Sequence, residues 1–406
     1  MEFRLTEEQR LIRRQMRELC AEFGDDYWRE RDRKGEFPWA FFEAFAEDGW
    51  CGITVPEEYG GQGYGVQEAA LVQGEIARSG AAMAGTSVTS HHVFSVAPLI
   101  EYGTEEHKRR YLPRVAAGDV MVCTGVTEPN AGTDTSRIET TARRESVERD
   151  SANDAPPEAT RNGDEYVVDG QKIWTTKAGQ ADVIMLLVRT APREETDRFG
   201  GLTLFFTEFG PDAPGVEVSE IPKAGRAASP SYEVWFDGFR IPAEDRIGEE
   251  GEGFDYLLSF ANAERISLAA NAVGIGQAAI ERAAEYARER EVFGNRIGSY
   301  QAVAHPLADS WTKLEGDETM VRKAAWCYDE GEKTGPAANA VKLRASEDAI
   351  EACERAVRVH GGMGYAAEYD VERYWREAMI NVLAPVSNEM VKNYVAHEVL
   401  DLPRSY

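Results

Sequence analysis

Glycine-rich stretches are the first places where this sequence offers ligand chemistry. The run at 55–63, Val-Pro-Glu-Glu-Tyr-Gly-Gly-Gln-Gly, could cradle a phosphate, but a P-loop closes on Gly-Lys-Ser/Thr and this run does not. His360-Gly361-Gly362 follows a predicted helix rather than a strand, so it reads as a helix C-cap and not as a dinucleotide fingerprint. Trp174 stands in Gly170-Gln171-Lys172-Ile173-Trp174-Thr175-Thr176, where a large aromatic is either β-domain core or a platform for a flat ligand. The five cysteines (Cys20, Cys51, Cys123, Cys327, Cys353) are far apart and form no Cys-x-x-Cys pair. Reduced thiols fit that spacing better than a disulfide scaffold or a zinc site. His91 and His92 are adjacent, point in different directions on a helix and have no partner four residues away, so no metal site is expected.

Those residues need elements to position them. Thr6-Glu7-Glu8-Gln9 is a capping box, followed by Ile12, Met16, Leu19, Cys20 and Phe23 at helical spacing. Further helical patterns cover 39–50, 67–77 and 105–117. From about Asp119 the texture changes to short runs rich in β-branched and aromatic residues: 120–127, 166–176, 182–190, 201–209, 216–221 and 232–241. No helical crossover lies between them, which predicts antiparallel pairing. The polar segment 143–163 has little to bury and reads as an exposed loop extension. From Gly253 helical patterns return over 254–291, 300–331, 337–360 and 368–398, the makings of a four-helix bundle. The predicted fold is therefore multidomain α+β: a helical domain at 1–118, a middle antiparallel β domain at 119–242 and a C-terminal four-helix bundle at 243–406.

Composition limits the function classes. The net charge is −26, from 71 acidic and 45 basic residues, and only 10 of the basic residues are lysine. The acids are spread along the whole chain, which fits a hydrated halophilic surface better than an acidic binding patch. Such a chain has no basic face for nucleic acid. No apolar run is long enough to span a bilayer, and the opening residues carry no secretory pattern, so a cytoplasmic protein is expected.

Five stretches, in order and over nearly the full length, resemble the acyl-CoA dehydrogenase family. They are the 56–63 loop, Val126-Thr127-Glu128-Pro129-Asn130-Ala131-Gly132-Thr133-Asp134, the 170–176 string, Arg290-Glu291-Val292-Phe293-Gly294 and His360-Gly361-Gly362-Met363-Gly364-Tyr365. Each alone is weak; together on a matching α–β–α order they are strong. The resemblance implies FAD held at a subunit interface beside an acyl-CoA thioester, with electrons leaving through an electron-transferring flavoprotein. It also implies a homotetramer built as a dimer of dimers. In that reading Val126 and Thr127 face the flavin ring, Trp174 packs beside it and the Thr176 hydroxyl lies near N5. Thr133 takes the place of a serine near the pyrophosphate. Arg290, Phe293 and Gln301 reach the flavin of a neighbouring subunit, and Gly361 and Gly362 form a turn passing the dinucleotide. The resemblance also gives cofactor contacts to Thr124, Gly132, Arg358 and Ser387, and substrate contacts to Thr133 and Arg265. Arg358 stands where the family commonly has glutamine.

The family's usual base, a glutamate near the C-terminus, is absent. Its position is Pro385, which cannot take a proton, and Glu389 four places later is not the usual base. A minority of the family places the base immediately before an arginine on the first long C-terminal helix, and this chain has Ala263-Glu264-Arg265-Ile266 there. The resemblance therefore implies Glu264 as the base; in isolation the residue would read as a structural partner of a nearby arginine. Desolvation would raise its pKa toward a useful value. Pro385 also lacks the N–H that would help polarise the thioester carbonyl. Losing such a donor costs roughly 2.7–4 kcal/mol of barrier, which leaves a slow enzyme unless Val386 N–H takes over through a shifted backbone or the substrate sits differently.

Three readings stay open: an acyl-CoA dehydrogenase using Glu264, a flavin oxidase or monooxygenase on the same scaffold, and a non-catalytic flavoprotein that binds acyl-CoA. The alternative base position favours a branched or longer acyl group.

Overall fold

The computed structural model describes residues 4–146 and 164–404. Helices come first: α1 (Glu7–Ala21), α2 (Asp25–Lys34), α3 (Trp39–Glu47), α4 (Val66–Ile76), α5 (Ala82–Phe94), α6 (Ala97–Tyr102) and α7 (Glu105–Ala117). Strands follow: β1 (Val122–Gly125), β2 (Thr141–Glu145), β3 (Glu165–Thr176), β4 (Val183–Arg189), β5 (Leu202–Glu208), β6 (Val216–Glu220), β7 (Ser231–Pro242) and β8 (Arg246–Ile247). Next are α8 (Gly253–Ser259) and α9 (Ala261–Glu289), then a hairpin of β9 (Glu291–Val292) and β10 (Asn295–Arg296). The chain closes with α10 (Gln301–Asp329), α11 (Gly335–His360), α12 (Val371–Ala378), α13 (Ile380–Leu383) and α14 (Asn388–Tyr394). Helical, then β, then helical is the α+β order read from the sequence.

The residues form two compact units. A helical unit takes the chain up to Phe94, the short segment Pro222–Ser229 and everything from Ala261; a β unit takes Ser95–Ile221 and Pro230–Phe260.

In the β unit the strand order is β6-β7-β3-β2-β4-β5-β8, with β1 also pairing to β4. Most pairs are antiparallel, as expected, but β1 runs parallel to β4, and Thr141 of β2 meets Arg189 of β4 in parallel. A parallel pair needs a connection of a dozen residues or more, and here the chain that carries β2 and β3 supplies it in place of a helix. The predicted loop extension is also corrected at its start: Arg143, Arg144 and Glu145 belong to β2 and pair with Val167, Tyr166 and Glu165. Their charges lie on the outer side while Ala142 is buried, so a strand was hidden in a polar run. The rest of that prediction, 147–163, lies outside the described residues. Every residue of β4 is buried, and Ile184, Leu186 and Val188 join Phe205, Val234 and Phe236 in one core.

In the helical unit the predicted capping box is present: Gln9 N–H donates to Thr6 Oγ1 at 3.0 Å and Thr6 N–H to Gln9 Oε1 at 3.2 Å. Small residues bring α9 and α11 close. A Cβ on Gly276 would lie 2.8 Å from the Leu314 side chain and 3.3 Å from Ala349 Cα. Helix α5 is buried on nearly all sides, so it shows no apolar stripe. The fourth bundle helix, expected as one piece over 368–398, is broken into α12, α13 and α14. Pro385 accounts for the break between α13 and α14: a proline cannot continue the helix, Ala384 before it is extended (φ −125°), and Ser387 reopens the helix as the N-cap of α14. The segment 254–291 likewise divides at Phe260 into α8 and α9. The 55–63 loop is a structural turn, with Gly60 at φ +85° and Gly61 pressed against the Val55 carbonyl. All five cysteines are buried, and none is in a disulfide. Among the described residues no helix is long and apolar enough to cross a membrane.

Candidate active site

The β unit presents one cluster of the predicted residues. Lys172, fully buried, donates to the Val126 carbonyl at 3.1 Å and to Glu128 Oε1 at 2.8 Å. The Glu128 carboxylate accepts the N–H groups of Glu139 and Thr140 at 2.7 and 2.9 Å. Burial opposes the charge on Glu128, but Lys172 and these donors outweigh it and hold the carboxyl below its usual range. Burial also pulls Lys172 down to about 8, against the attraction of Glu128, so the pair remains charged at neutral pH. Through this pair the turn after β1 is locked onto β3, and Ile173 N–H donates to the Thr127 carbonyl at 2.8 Å.

The lock leaves one large side chain outside. The pairing of β3 with β7 slips between Lys172 and Thr175, a bulge that throws Trp174 out of the ladder. Trp174 is 52% exposed at φ +63°, a conformation a bulky residue keeps only when its surroundings impose it. Thr176 Oγ1 lies 3.4 Å from Ser231 Oγ, and Thr127 is half-buried on the neighbouring turn. Thr124 donates to Ser95 Oγ at 3.0 Å. Gly132 and Thr133 are exposed on the loop beyond, with nothing within 4 Å of where a Cβ on Gly132 would stand. A flat apolar face flanked by hydroxyls, next to an open loop with a free backbone approach, fits an isoalloxazine ring and a pyrophosphate. The residues present therefore suit FAD.

In the helical unit Glu264 and Arg265 lie in the first turns of α9. Arg265 donates to Asn262 Oδ1 at 3.0 Å, and the Glu264 carboxyl makes no ion pair or hydrogen bond among the described residues. Glu264 is half-buried, yet protein surrounds it closely enough that desolvation raises its carboxyl to about 7, with Arg265 opposing. Burial lowers Arg265.

The 384–388 turn is held from beneath by Lys342 of α11, which the sequence reading missed. Lys342 is fully buried and donates to the Val386 carbonyl at 2.6 Å and to Asn388 Oδ1 at 2.7 Å. Burial, then Arg265, pulls it down to about 8. A lysine inside the apolar run Ala340-Val341-Lys342-Leu343, in a chain with 10 lysines, was the available signal. Ser387, expected at the cofactor, uses its hydroxyl to accept from Met390 N–H at 3.4 Å. Glu389 is exposed.

The remaining predicted residues lie on outer surfaces of the helical unit. Phe293 is 92% exposed at φ +54° on the tip of the β9–β10 hairpin, next to Gly294 at φ +79°. Arg290 and Gln301 are exposed at the ends of α9 and α10. Arg358 pairs with Glu354 at 2.6 Å, and Gly361 (φ +61°) and Gly362 begin an exposed turn. His91 and His92 lie on α5, and His92 packs on the Phe42 ring.

Comparison with known proteins gives one consistent result. The acyl-CoA dehydrogenase N-terminal, middle and C-terminal domains match residues 6–119, 123–239 and 251–400. Acyl-CoA dehydrogenase fadE12 of Mycobacterium bovis is 33% identical over 403 residues, covering 99% of this chain and 98% of that one. Among solved structures, a chain of "Electron transferring flavoprotein of Acidaminococcus fermentans: Towards a mechanism of flavin-based electron bifurcation" superposes with a TM-score of 0.89. It is 32% identical and covers 98% of this chain and 100% of that chain. The structure "PigA with FAD and proline" superposes with a TM-score of 0.88 at 26% identity, covering 98% and 99%.

Proposed function

The chain belongs to the acyl-CoA dehydrogenase family and is a FAD-dependent oxidoreductase, and from that premise we propose that it oxidises an acyl-CoA thioester between its α and β carbons with Glu264 as the base. FAD, when bound, supplies the acceptor for the hydride that leaves the β carbon.

The observation that carries the proposal is the unpaired state of Glu264. A carboxylate neutralised by arginine would be a poor base, but Arg265 is engaged with Asn262 instead. Burial raises Glu264 to about 7, close to the pH at which a base both exists as carboxylate and holds a proton well. Glu264 takes the α proton onto a carboxylate oxygen. The thioester carbonyl needs a donor as the α carbon loses its proton, and Pro385 has none. Val386 N–H fills that role: it donates to no group among the described residues, and Lys342 fixes the carbonyl of the same residue.

Trp174 gives the flavin ring an apolar wall, Thr176 and Thr127 give it hydroxyls, and Val126 gives it backbone groups. The Thr133 hydroxyl and the open backbone at Gly132 take the pyrophosphate. Phe293, Arg290 and Gln301 serve the cofactor of a second copy of the chain in a dimer of dimers; a phenylalanine left almost wholly in solvent on a strained hairpin tip supports this. An electron-transferring flavoprotein takes the electrons onward. The acid-rich composition fits a salt-adapted cytoplasm.

Anaerobic mixing of the flavoprotein with acyl-CoA thioesters tests the reading, and bleaching of the flavin absorbance is expected. Pro385 favours a second reading, a flavin oxidase on the same scaffold, and fast reoxidation by air after bleaching supports that one. Binding without bleaching overturns both.

A further inference from the structure

On α9 the residues three, four and seven places beyond Glu264 share its face: Ser267, Leu268 and Asn271. Glu264 and Leu268 are both half-buried, so one turn of this face stays accessible as a carboxylate beside an apolar ledge. The next turn is closed. Asn271 is 4% exposed, and its amide, oriented to donate, reaches the Ser267 and Gln73 carbonyls at 3.3 Å. Gln73 of α4 is fully buried and donates to Thr89 Oγ1 of α5 at 2.8 Å; Thr89 in turn donates to the Thr86 carbonyl at 3.2 Å. These three side chains tie α9, α4 and α5 together with a polar plug. One turn further the helices meet backbone to backbone. A Cβ on Gly274 would strike the Gly74 carbonyl oxygen, and one on Gly74 would lie 3.4 Å from the Ala270 carbonyl oxygen.

We infer that Asn271, Gln73 and Thr89 form the floor of the acyl chamber, and that the enzyme takes short-chain acyl-CoA thioesters. An acyl tail laid along this face from Glu264 has roughly 10 Å, seven residues at about 1.5 Å of rise each, before it meets the plug. A longer chain would have to part hydrogen bonds that are closed to water, where each broken partner is left unsatisfied. The closed turn thus works against the longer or branched acyl group suggested by the position of the base. The inference rests on Glu264 being the base, because the chamber is measured from that carboxylate.

The test begins with FAD-loaded Glu264→Gln, in which the chemistry is off, and calorimetric binding of butyryl-, octanoyl- and palmitoyl-CoA. Palmitoyl-CoA is expected to bind at least about 10-fold more weakly than butyryl-CoA, in line with the discrimination a closed pocket achieves per added group. Equal binding overturns the inference. In the otherwise unaltered enzyme, Asn271→Ala and Thr89→Ala are expected to raise the octanoyl-to-butyryl ratio of kcat/KM by about 10-fold. An unchanged ratio in a variant that keeps its FAD and its Tm overturns the inference too. Should both variants fail to fold, the binding series alone decides. If no thioester of any length bleaches the wild-type flavin, the base assignment fails and the inference falls with it; bleaching by every thioester together with equal binding at every length overturns the inference alone.

Discussion

Arg265 turns to Asn262 Oδ1 at 3.0 Å, and Glu264, its neighbour in the chain, is left without an ion pair. The arginine therefore stabilises the carboxylate only at a distance, and burial decides the protonation of Glu264. Glu264→Gln is expected to slow anaerobic flavin reduction by about 1000-fold, within the range typical of a general base. Bound FAD, read from absorbance after gel filtration, should be unchanged. Reduction at the wild-type rate would remove Glu264 from the mechanism.

The same carboxyl predicts a pH profile. Flavin reduction should rise with pH through about 7 as Glu264 ionises, and the step should be missing in Glu264→Asp if its carboxyl no longer occupies the desolvated position. Stability runs the opposite way. The folded pKa lies above the ordinary 4.5, so the fold favours the proton, and this contribution is lost as pH rises from 4.5 through about 7. Glu264→Gln does not titrate. Its Tm advantage over the wild type should be larger at pH 8 than at pH 5 by a few degrees.

Lys172 and Glu128 are both buried, so removing one strands the other. Lys172→Met should destabilise the β unit by about 3–5 kcal/mol in denaturant unfolding, and Lys172→Met with Glu128→Leu should recover part of the loss. Equal destabilisation by the single and double variants would mean that packing, not charge, dominates.

Lys342→Met removes the anchor of the Val386 carbonyl while preserving most of the buried volume. The expected result is a fall in kcat of about 10-fold or more with a near-normal KM, since a misplaced donor is felt mainly in the transition state. A fall in FAD content instead would assign Lys342 to folding alone.

With a net charge of −26, mutual repulsion opposes compaction at low ionic strength. Thermal unfolding in increasing potassium chloride should move to higher temperature up to molar concentrations. A Tm that stops rising near 0.15 M, where simple screening is already strong, would argue against salt adaptation.

Much of the fold was legible because local signals agreed with tertiary demands. Thr6 and Gln9 announced α1, and the β-branched runs of β4, β5 and β7 needed no partner to be recognised. Helix α5 gave no signal because burial on all sides erases the periodicity that marks a helix. Strand β2 was hidden because its exposed face is Arg143 and Glu145. The break of the last helix was written at Pro385 and was overridden by the helical pattern around it. At the candidate site, motif residues could be located by resemblance, but the exposure of Trp174 depends on a register slip against Tyr232 that only pairing reveals. Lys342 was missed because its partners, Val386 and Asn388, lie more than forty positions away.

The buried sulfurs, none of them in a disulfide, have a use of their own. Cys123 belongs to the β unit, and Cys20, Cys51, Cys327 and Cys353 to the helical unit. Burial also pushes the Cys20 thiol up to about 12 and raises those of Cys123 and Cys353 still further. None can react with a thiol reagent until its surroundings open, so the labelling rate at each sulfur is a clock for local opening. Mass-resolved alkylation would then show whether the two units breathe in concert or independently, with no probe added to the chain.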